Sequence, residues 1–422
     1  MLVRGQPDNI AEGHSTDKRI VMRGINHYHS DLLFHVAKNH QAIVAAGLPA
    51  ESPRDWLYSD NNSFVRYKLY ELANTTVDRK KLDAEVAVFS GNLFRLILGG
   101  AHPIYYACEI VDAAGGKPHG YVRVCNKIPD YSDWEHIVSV HEDRINIAGK
   151  EILFNSDEVP VHGLTAILVM GFFLNEEDWN GTNFGLTRNF EAVRIDPGLS
   201  FGDKFFSGDI QEIQDGLNNL LKNFIWNIEG GEYLTEFKPG CANEQMPPLV
   251  NRLFNSQSEL FATLAGIISM PSSLYYETAL QCFSKEHSLL GLALAQHIKA
   301  RIRLFYEAAK ELDGFNDYFI EYLNKHSGEY LDRLKKLQGR NEFRSGALKD
   351  RLEADIIVQM RLCRRAQSTN ENKTLLTAGL FHASAQGVNG KESGNQPCEL
   401  PSQPQLPPLK KTRISTFGGI SS

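Results

Sequence analysis

The sequence predicts an α+β protein with a small sheet-bearing lobe followed by a large helical lobe, and three observations carry that prediction. Short β-branched and aromatic runs (Phe64 to Leu69, Ile104 to Val111, Tyr121 to Cys125) fall in the first third of the chain. Apolar residues at three-and-four spacing dominate from about Gly208 to Ala366. Strands precede helices instead of alternating with them, which segregates the two kinds of element.

Each element has its own justification. Residues 1–52 read as an N-terminal extension, 53–130 as the small lobe, 131–366 as the helical lobe together with the loops of a site, and 367–422 as a largely disordered tail. In the small lobe, period two along Phe64 to Leu69 puts Arg66 and Lys68 on one face and Val65, Tyr67 and Leu69 on the other. Arg79 to Leu98 reads as a helix, with Leu82, Val86, Phe89, Leu93 and Ile97 forming its apolar stripe. Glu85 falls on or beside that stripe, so it faces inward and needs a cation. The turn-rich Asp112 to Gly120 joins the next two strands as a hairpin. Beyond it, Leu217, Leu220, Leu221, Phe224 and Ile225 mark one buried helix face. Leu289, Leu292, Leu294, Ile298, Ile302 and Phe305 mark a second, and Leu348, Leu352, Ile356 and Met360 a third. The Pro-, Gly-, Ser- and Gln-rich stretch from Val388 onward cannot bury enough apolar surface to order itself. Within it, Leu406 to Arg413 reads as plain solvated chain, with a docking peptide as the sharper alternative.

Composition bounds the functional classes. With 422 residues, 42% hydrophobic and 23% charged, the chain can build a sizeable core, which excludes collagen-like, coiled-coil and wholly disordered readings. A formal charge of -7 argues against a nucleic-acid-binding polycation, so any anion site is local. The six cysteines form no CxxC pair, so neither structural zinc nor a disulfide framework is expected, and reduced thiols in a cytosol fit best. The longest apolar run, Leu164 to Leu174, is far short of the ~18 residues that a transmembrane helix needs. The polar N-terminus has no charged-then-apolar leader, so a cytoplasmic location is expected unless a non-Sec route exports the chain.

The most informative segment runs from Gly171 to Gly202. An apolar run ends in an acidic turn that carries Asp178 and, five positions on, Asn183; the short strand Ala192 to Ile195 then delivers Asp196 into a Pro-Gly turn. Metal-dependent phosphoryl transfer needs such a set. One carboxylate orients the attacking hydroxyl, while an amide oxygen and a second carboxylate hold the metal on the phosphates. Lys68 on its strand and Glu85 on the following helix add the residue types of an ion pair that kinases use to hold nucleotide phosphates.

Lys68, Asp83-Ala84-Glu85, the hairpin between Tyr105 and Val124, Asp178-x4-Asn183 and Ile195-Asp196-Pro197-Gly198-Leu199-Ser200-Phe201 together resemble the phosphoinositide-kinase-like branch of the protein kinase fold. That branch includes phosphatidylinositol kinases, HipA-type serine kinases and atypical effector kinases secreted by intracellular bacteria such as Legionella. The similarity covers about residues 55 to 230. It implies a two-lobed, protein-kinase-like fold that uses ATP with Mg²⁺ or Mn²⁺. By this resemblance Lys68 contacts the phosphates, Glu85 positions it and Asp178 is the catalytic aspartate. Asn183 and Asp196 are the metal ligands, Ser63 belongs to the polar run covering the phosphates, and Asn126 and Lys127 lie in the hinge beside the adenine. The implied acceptor is a hydroxyl on a protein, which for a secreted effector is a host protein, more than on a lipid. Two features depart from the branch. Trp179 and Asn180 stand where phosphoinositide kinases carry Arg and His, and no GxGxxG precedes Lys68. The alternatives are therefore a kinase-shaped interaction protein without catalysis and a phosphoinositide kinase.

Two further clusters have blander readings. His27, His29, Asp31, His35 and His40 have poor spacing for a metal site and read as surface or partner-contact residues. Lys299, Arg301, Arg303, Arg333, Lys335, Lys336, Arg340, Arg361, Arg364 and Arg365 read mainly as solvated helix faces. A phosphoinositide or other polyanion site is the sharper alternative.

Overall fold

The computed structural model describes residues 14–28, 33–39, 56–60, 63–70, 77–112, 116, 118, 120–126, 128, 130–140, 144–153, 161–179, 183–206, 208–222 and 256–382. Four strands, β1 (His14–Gly24), β2 (Leu33–Asn39), β3 (Trp56–Asp60) and β4 (Ser63–Tyr70), form an antiparallel meander. Helix α1 (Val77–Leu98) follows, and then the hairpin of β5 (Tyr105–Asp112) and β6 (Gly120–Asn126). The six strands close into a barrel in the order β1-β2-β3-β4-β6-β5. Closure removes the exposed edges that a six-stranded open sheet would present.

Within the stretch that the sequence reads as an N-terminal extension, residues 14–24 and 33–39 are part of the barrel, since β1 pairs with both β2 and β5. A register shift between Asp17 and Val21 interrupts the alternation of β1, and the strand carries Asp17, Lys18, Arg19 and Arg23. Such a bulged, charged strand shows little period-two signal. One of its charges has a cross-strand purpose, because Arg23 donates through Nε to Glu109 at 2.8 Å.

Helix α1 lies against β5 and β6 on one side and against helices of the C-terminal half on the other. Its small residues Ala84, Ala87, Ser90 and Gly91 allow burial on both sides. A Cβ at Gly91 would lie 2.4 Å from the Tyr105 ring, so only glycine lets β5 approach this closely.

After the barrel come β7 (Ser132–Asp133), α2 (Trp134–Ile137), β8 (Val138–Val140), β9 (Arg144–Ile147) and β10 (Lys150–Leu153). The last three strands make a small antiparallel sheet. Next is α3 (Leu164–Leu174), apolar around its circumference and buried along most of its length. The hairpin of β11 (Phe184–Leu186) and β12 (Ala192–Arg194) pairs with β7 to form a third sheet. Helices α4 (Asp203–Phe206) and α5 (Ile210–Lys222) lead into α6 (Gln257–Ser269), α7 (Ser272–Cys282), α8 (Ser288–Ala309), α9 (Phe315–Leu337) and α10 (Gly346–His382).

The chain is thus mixed α+β: among the described residues all strands fall before residue 195, three helices are set among them, and only helices follow. A continuous core joins α1 through α3 to α6, α7, α8 and α9. Helix α10 runs past Ala366, where the sequence places the start of the tail, to His382. The Leu406 to Arg413 segment lies outside the described residues. Among the described residues, no helix is long and apolar enough to cross a membrane.

Candidate functional site

The site grows from the end of α3. That helix stops at Asn175, which adopts the left-handed conformation (φ 50°) and turns the chain into Glu176-Glu177-Asp178. Arg301 of α8 caps the stop. Its Nε donates to Phe173 O at 2.6 Å and its Nη2 to Phe172 O at 3.1 Å, which sets a positive charge on the negative end of the helix. Burial lowers the Arg301 pKa to about 10, still high enough to keep the charge at neutral pH.

One guanidinium clamps both ends of the loop that carries Asp178 and Asn183. Arg194 of β12 is buried, and it donates through Nη1 to Asn183 O at 2.7 Å and through Nη2 to Asp178 O at 2.6 Å. Nη2 also lies 3.3 Å from the carboxylate of Glu176, and the guanidinium stands 5.2 Å above the Trp179 ring. Trp179 donates Nε1–H to Glu176 O at 2.9 Å, and a Cβ at Gly171 would lie only 2.0 Å from its ring. The residue that departs from the phosphoinositide-kinase pattern is therefore part of the loop's support. Burial pushes the Glu176 carboxyl above the usual range, against the opposing pull of Arg194 and Ser200.

Asp196 sits where this loop meets the barrel. Ile195 N–H donates to Asn183 O at 2.9 Å, and Asp196 N–H points to the same oxygen at 3.4 Å, so Asn183 and Asp196 share one end of the β11–β12 hairpin. Tyr105 of β5 donates its hydroxyl to Ile195 O at 3.0 Å. Arg123 of β6 places Nη1 2.8 Å from Asp196 Oδ1. Backbone pairing sets Lys68 directly opposite Arg123, so the two occupy neighbouring positions on one sheet face. Beyond Asp196, Ser200 Oγ bonds both the Glu176 carboxylate and Ser90 of α1, and Phe201 stacks on Phe89 of α1 at 5.8 Å. The helix, the acidic turn and the Asp196 segment are thereby joined.

The sequence-derived residues divide as follows. Arg194 holds the backbone carbonyls of Asp178 and Asn183, and the Asn183 carbonyl faces the amides of Ile195 and Asp196, so the three residues are tied together through the backbone. Lys68 and Ser63 lie on β4, where the structure describes backbone pairing alone, with Ser63 opposite Asp60. Asn126 is exposed at the end of β6, opposite Val65, and Lys127 lies outside the described residues. Glu85 is fully buried as its position on α1 suggests, but its oxygens are satisfied from the helical half. Ser284 N–H donates to Oε1 at 3.0 Å, and His287 Nδ1 lies 2.6 Å from Oε2. One turn earlier, Lys81 pairs with Glu286 at 3.0 Å.

Sequence reading missed Arg123, Arg194, Glu176, Tyr105 and Ser200. A usable signal existed for the two arginines, since each is the lone charge in an otherwise apolar strand, Tyr121-Val122-Arg123-Val124-Cys125 and Ala192-Val193-Arg194-Ile195. A charge that is buried in such a strand has to be paired, so each arginine called for a partner.

Among the described residues no group of three or more His, Cys, Asp or Glu could hold a metal. Asn183 and Asp196 offer an amide and a carboxylate oxygen, hard donors that suit Mg²⁺ when phosphate oxygens complete its shell. His27 is exposed and lies 3.8 Å from Glu342, whereas His29, Asp31 and His40 are outside the described residues. The basic run divides among separate roles. Arg301 is a buried cap, Arg340 pairs with Glu277 at 2.6 Å and Lys335 pairs with Asp332 at 3.5 Å. Lys299 is the position where cations crowd; burial first, then Arg351 and Arg303, lower its pKa.

No protein-family model, no curated protein and no solved structure matches the chain.

Proposed function

We propose that the chain is an ATP- and metal-dependent phosphotransferase with a two-lobed, kinase-like arrangement that transfers the γ-phosphate to a hydroxyl, on protein in preference to lipid. One observation carries this reading. Asp196, backbone-paired with Asn183, meets Arg123 on the strand that pairs with the Lys68 strand, while Arg194 fixes Asp178 to the same hairpin. The order of elements adds support, since a lysine-bearing strand, a helix with an inward glutamate, a hairpin and then a D-x4-N loop ahead of a second aspartate is the order kinases use.

In this reading Asp178, half-buried beside the clamped loop, accepts the proton of the attacking hydroxyl. The Lys68 ammonium and the Arg123 guanidinium balance phosphate charge from the barrel side. Asn183 and Asp196 would hold a divalent cation, which when bound would supply charge neutralisation at the phosphates. Phosphoryl transfer depends mostly on positioning, and the supporting residues Arg194, Arg301 and Tyr105 are fixed by hydrogen bonds to backbone carbonyls.

The test is transfer of labelled γ-phosphate from ATP with Mg²⁺ or Mn²⁺, comparing the wild-type chain with Asp196→Ala and offering generic protein acceptors and phosphoinositide vesicles in parallel. Incorporation into protein that disappears in the variant is the expected result. Label in lipid would move the assignment to a phosphoinositide kinase, and incorporation that survives in Asp196→Ala would refute the site. A second reading, a nucleotide-holding interaction protein, is favoured by Trp179 being a buried structural residue at the position after Asp178. Its signature is nucleotide-dependent stabilisation without transfer to any acceptor.

A further inference from the structure

The candidate site contains a cation to which neither motif spacing nor family resemblance assigns a role. Arg123 is 5% exposed in the middle of β6, with Nη1 2.8 Å from Asp196 Oδ1. Its guanidinium stands 5.4 Å from the centroid of the Tyr105 ring, and the Tyr105 hydroxyl fixes the carbonyl just before Asp196. Lys68 occupies the position directly across the ladder. A guanidinium at this place suits an anion that can take a bidentate contact. The planar guanidinium fork matches carboxylate and phosphate equally well, so Arg123 can serve either partner.

Oδ1 of Asp196 cannot serve a divalent cation while a guanidinium stands against it at this distance without strong like-charge repulsion. Resting on the phosphotransferase reading, we infer that Arg123 is an exchange residue: it is the counter-ion of Asp196 until metal and nucleotide arrive together, and then passes to the phosphates of the triphosphate as Asp196 turns to the metal. Metal alone must compete with Arg123 for Asp196, and triphosphate alone must compete with Asp196 for Arg123. Each ligand therefore assists the other, and the assistance is reciprocal.

The test is calorimetric titration of the full chain with MnCl₂ alone, with sodium tripolyphosphate alone, and with MnCl₂ in the presence of a non-hydrolysable ATP analogue. Wild type is compared with Arg123→Met, and near-UV circular dichroism checks folding. In the wild type the analogue is expected to tighten Mn²⁺ binding by about tenfold or more. Arg123→Met is expected to bind Mn²⁺ alone about tenfold more tightly than the wild type and to lose most of the coupling. Unchanged Mn²⁺ affinity in Arg123→Met, or unchanged coupling, overturns the inference. If that variant does not fold, Asp196→Asn supplies the converse, an approximately tenfold gain in tripolyphosphate affinity as Arg123 is released; no gain overturns the inference equally. The two failures are distinguishable. A wild type that transfers no phosphate and binds no nucleotide sinks the phosphotransferase reading, whereas a nucleotide-binding wild type whose metal affinity ignores Arg123 sinks the exchange.

Discussion

Replacing Arg194 by methionine would leave the Glu176 carboxylate buried without its cation and the carbonyls of Asp178 and Asn183 without their donor. Breaking a buried pair from one side costs about 3 to 5 kcal/mol, because the remaining charge is uncompensated. Glu176→Gln alone is milder, since Arg194 keeps both carbonyls and loses only the charge 3.3 Å away. Once Glu176 is neutral, removing Arg194 exposes no bare charge, so the double variant should be about 2 kcal/mol more stable than the sum of the single losses. Chemical denaturation followed by tryptophan fluorescence measures this, and Trp179 lies directly beneath the guanidinium. The pH dependence gives a second reading. Burial raises the Glu176 carboxyl and Arg194 holds it down, so its pKa climbs further in Arg194→Met. A carboxyl raised in the folded state contributes stability that is present below its unfolded pKa and lost as pH rises through the folded one. The deficit of Arg194→Met must therefore shrink as pH is lowered toward 5. Additivity of the two substitutions within about 0.5 kcal/mol, or a deficit that grows on acidification, would refute the assignment of Arg194 as the cation of this turn.

Three further outcomes can be checked directly. His102 is fully buried and, among the described residues, its ring nitrogens have no hydrogen-bond partner; burial, with Arg95 adding to it, lowers its pKa to about 3. The neutral ring is favoured on folding, so its contribution is complete above pH about 6.5 and is lost as pH falls toward 3; between pH 8 and 5 the wild type should lose about 2 kcal/mol more than His102→Leu in urea unfolding. Gly171→Ala puts a methyl 2.0 Å from the Trp179 ring and should cost about 1 to 3 kcal/mol, with a shift in tryptophan emission; an unchanged spectrum and midpoint would show that the packing is looser than described. On the proposed phosphotransferase reading, Asp178→Asn should lower the transfer rate by about 10² or more while leaving nucleotide affinity near that of the wild type, and an equal fall in both would make Asp178 a binding residue instead of the proposed base.

What was legible in the sequence had local causes. Alternation along β4, β5 and β6, and the stripe of α1, depend on neighbours within a few residues, and the helical half carries its period over long stretches. Strands β1 and β2 escaped because a bulge and a run of charges mask the alternation, and because their partners become visible only when the barrel closes onto β5. The same distinction holds in the site. The spacing of Asp178, Asn183 and Asp196 reflects one loop and one hairpin, so a short window contains it. Glu85 was readable as inward-facing from the phase of α1, but Ser284 and His287, which satisfy it, lie 199 and 202 residues away. No local pattern specifies such partners. Arg123 and Arg194 showed themselves only as charges in apolar strands, and which carboxylate each would meet depended on how the barrel sits against the β11–β12 hairpin.

A buried arginine whose Nε has no hydrogen-bond partner among the described residues, as with Arg194, is hard to explain by stability alone. An orphaned buried donor costs about 1 to 3 kcal/mol, and an apolar side chain of similar volume would often serve the core as well. What that replacement could not do is hold the carbonyls of Asp178 and Asn183 from one rigid plane, and thereby set the distance between the two ends of the loop. Lysine separates the two explanations, because it keeps the charge near Glu176 but has no fork with which to span both carbonyls. Arg194→Lys should therefore remain folded with a modest loss of stability. The Ile195 amide, which donates to Asn183 O, should exchange with solvent about tenfold faster beyond the change seen in α3. Hydrogen exchange resolved by residue measures both at once. If the Ile195 amide slows or changes only in step with α3, the charge of Arg194 alone supports the loop, and positioning by its planar fork is the wrong account.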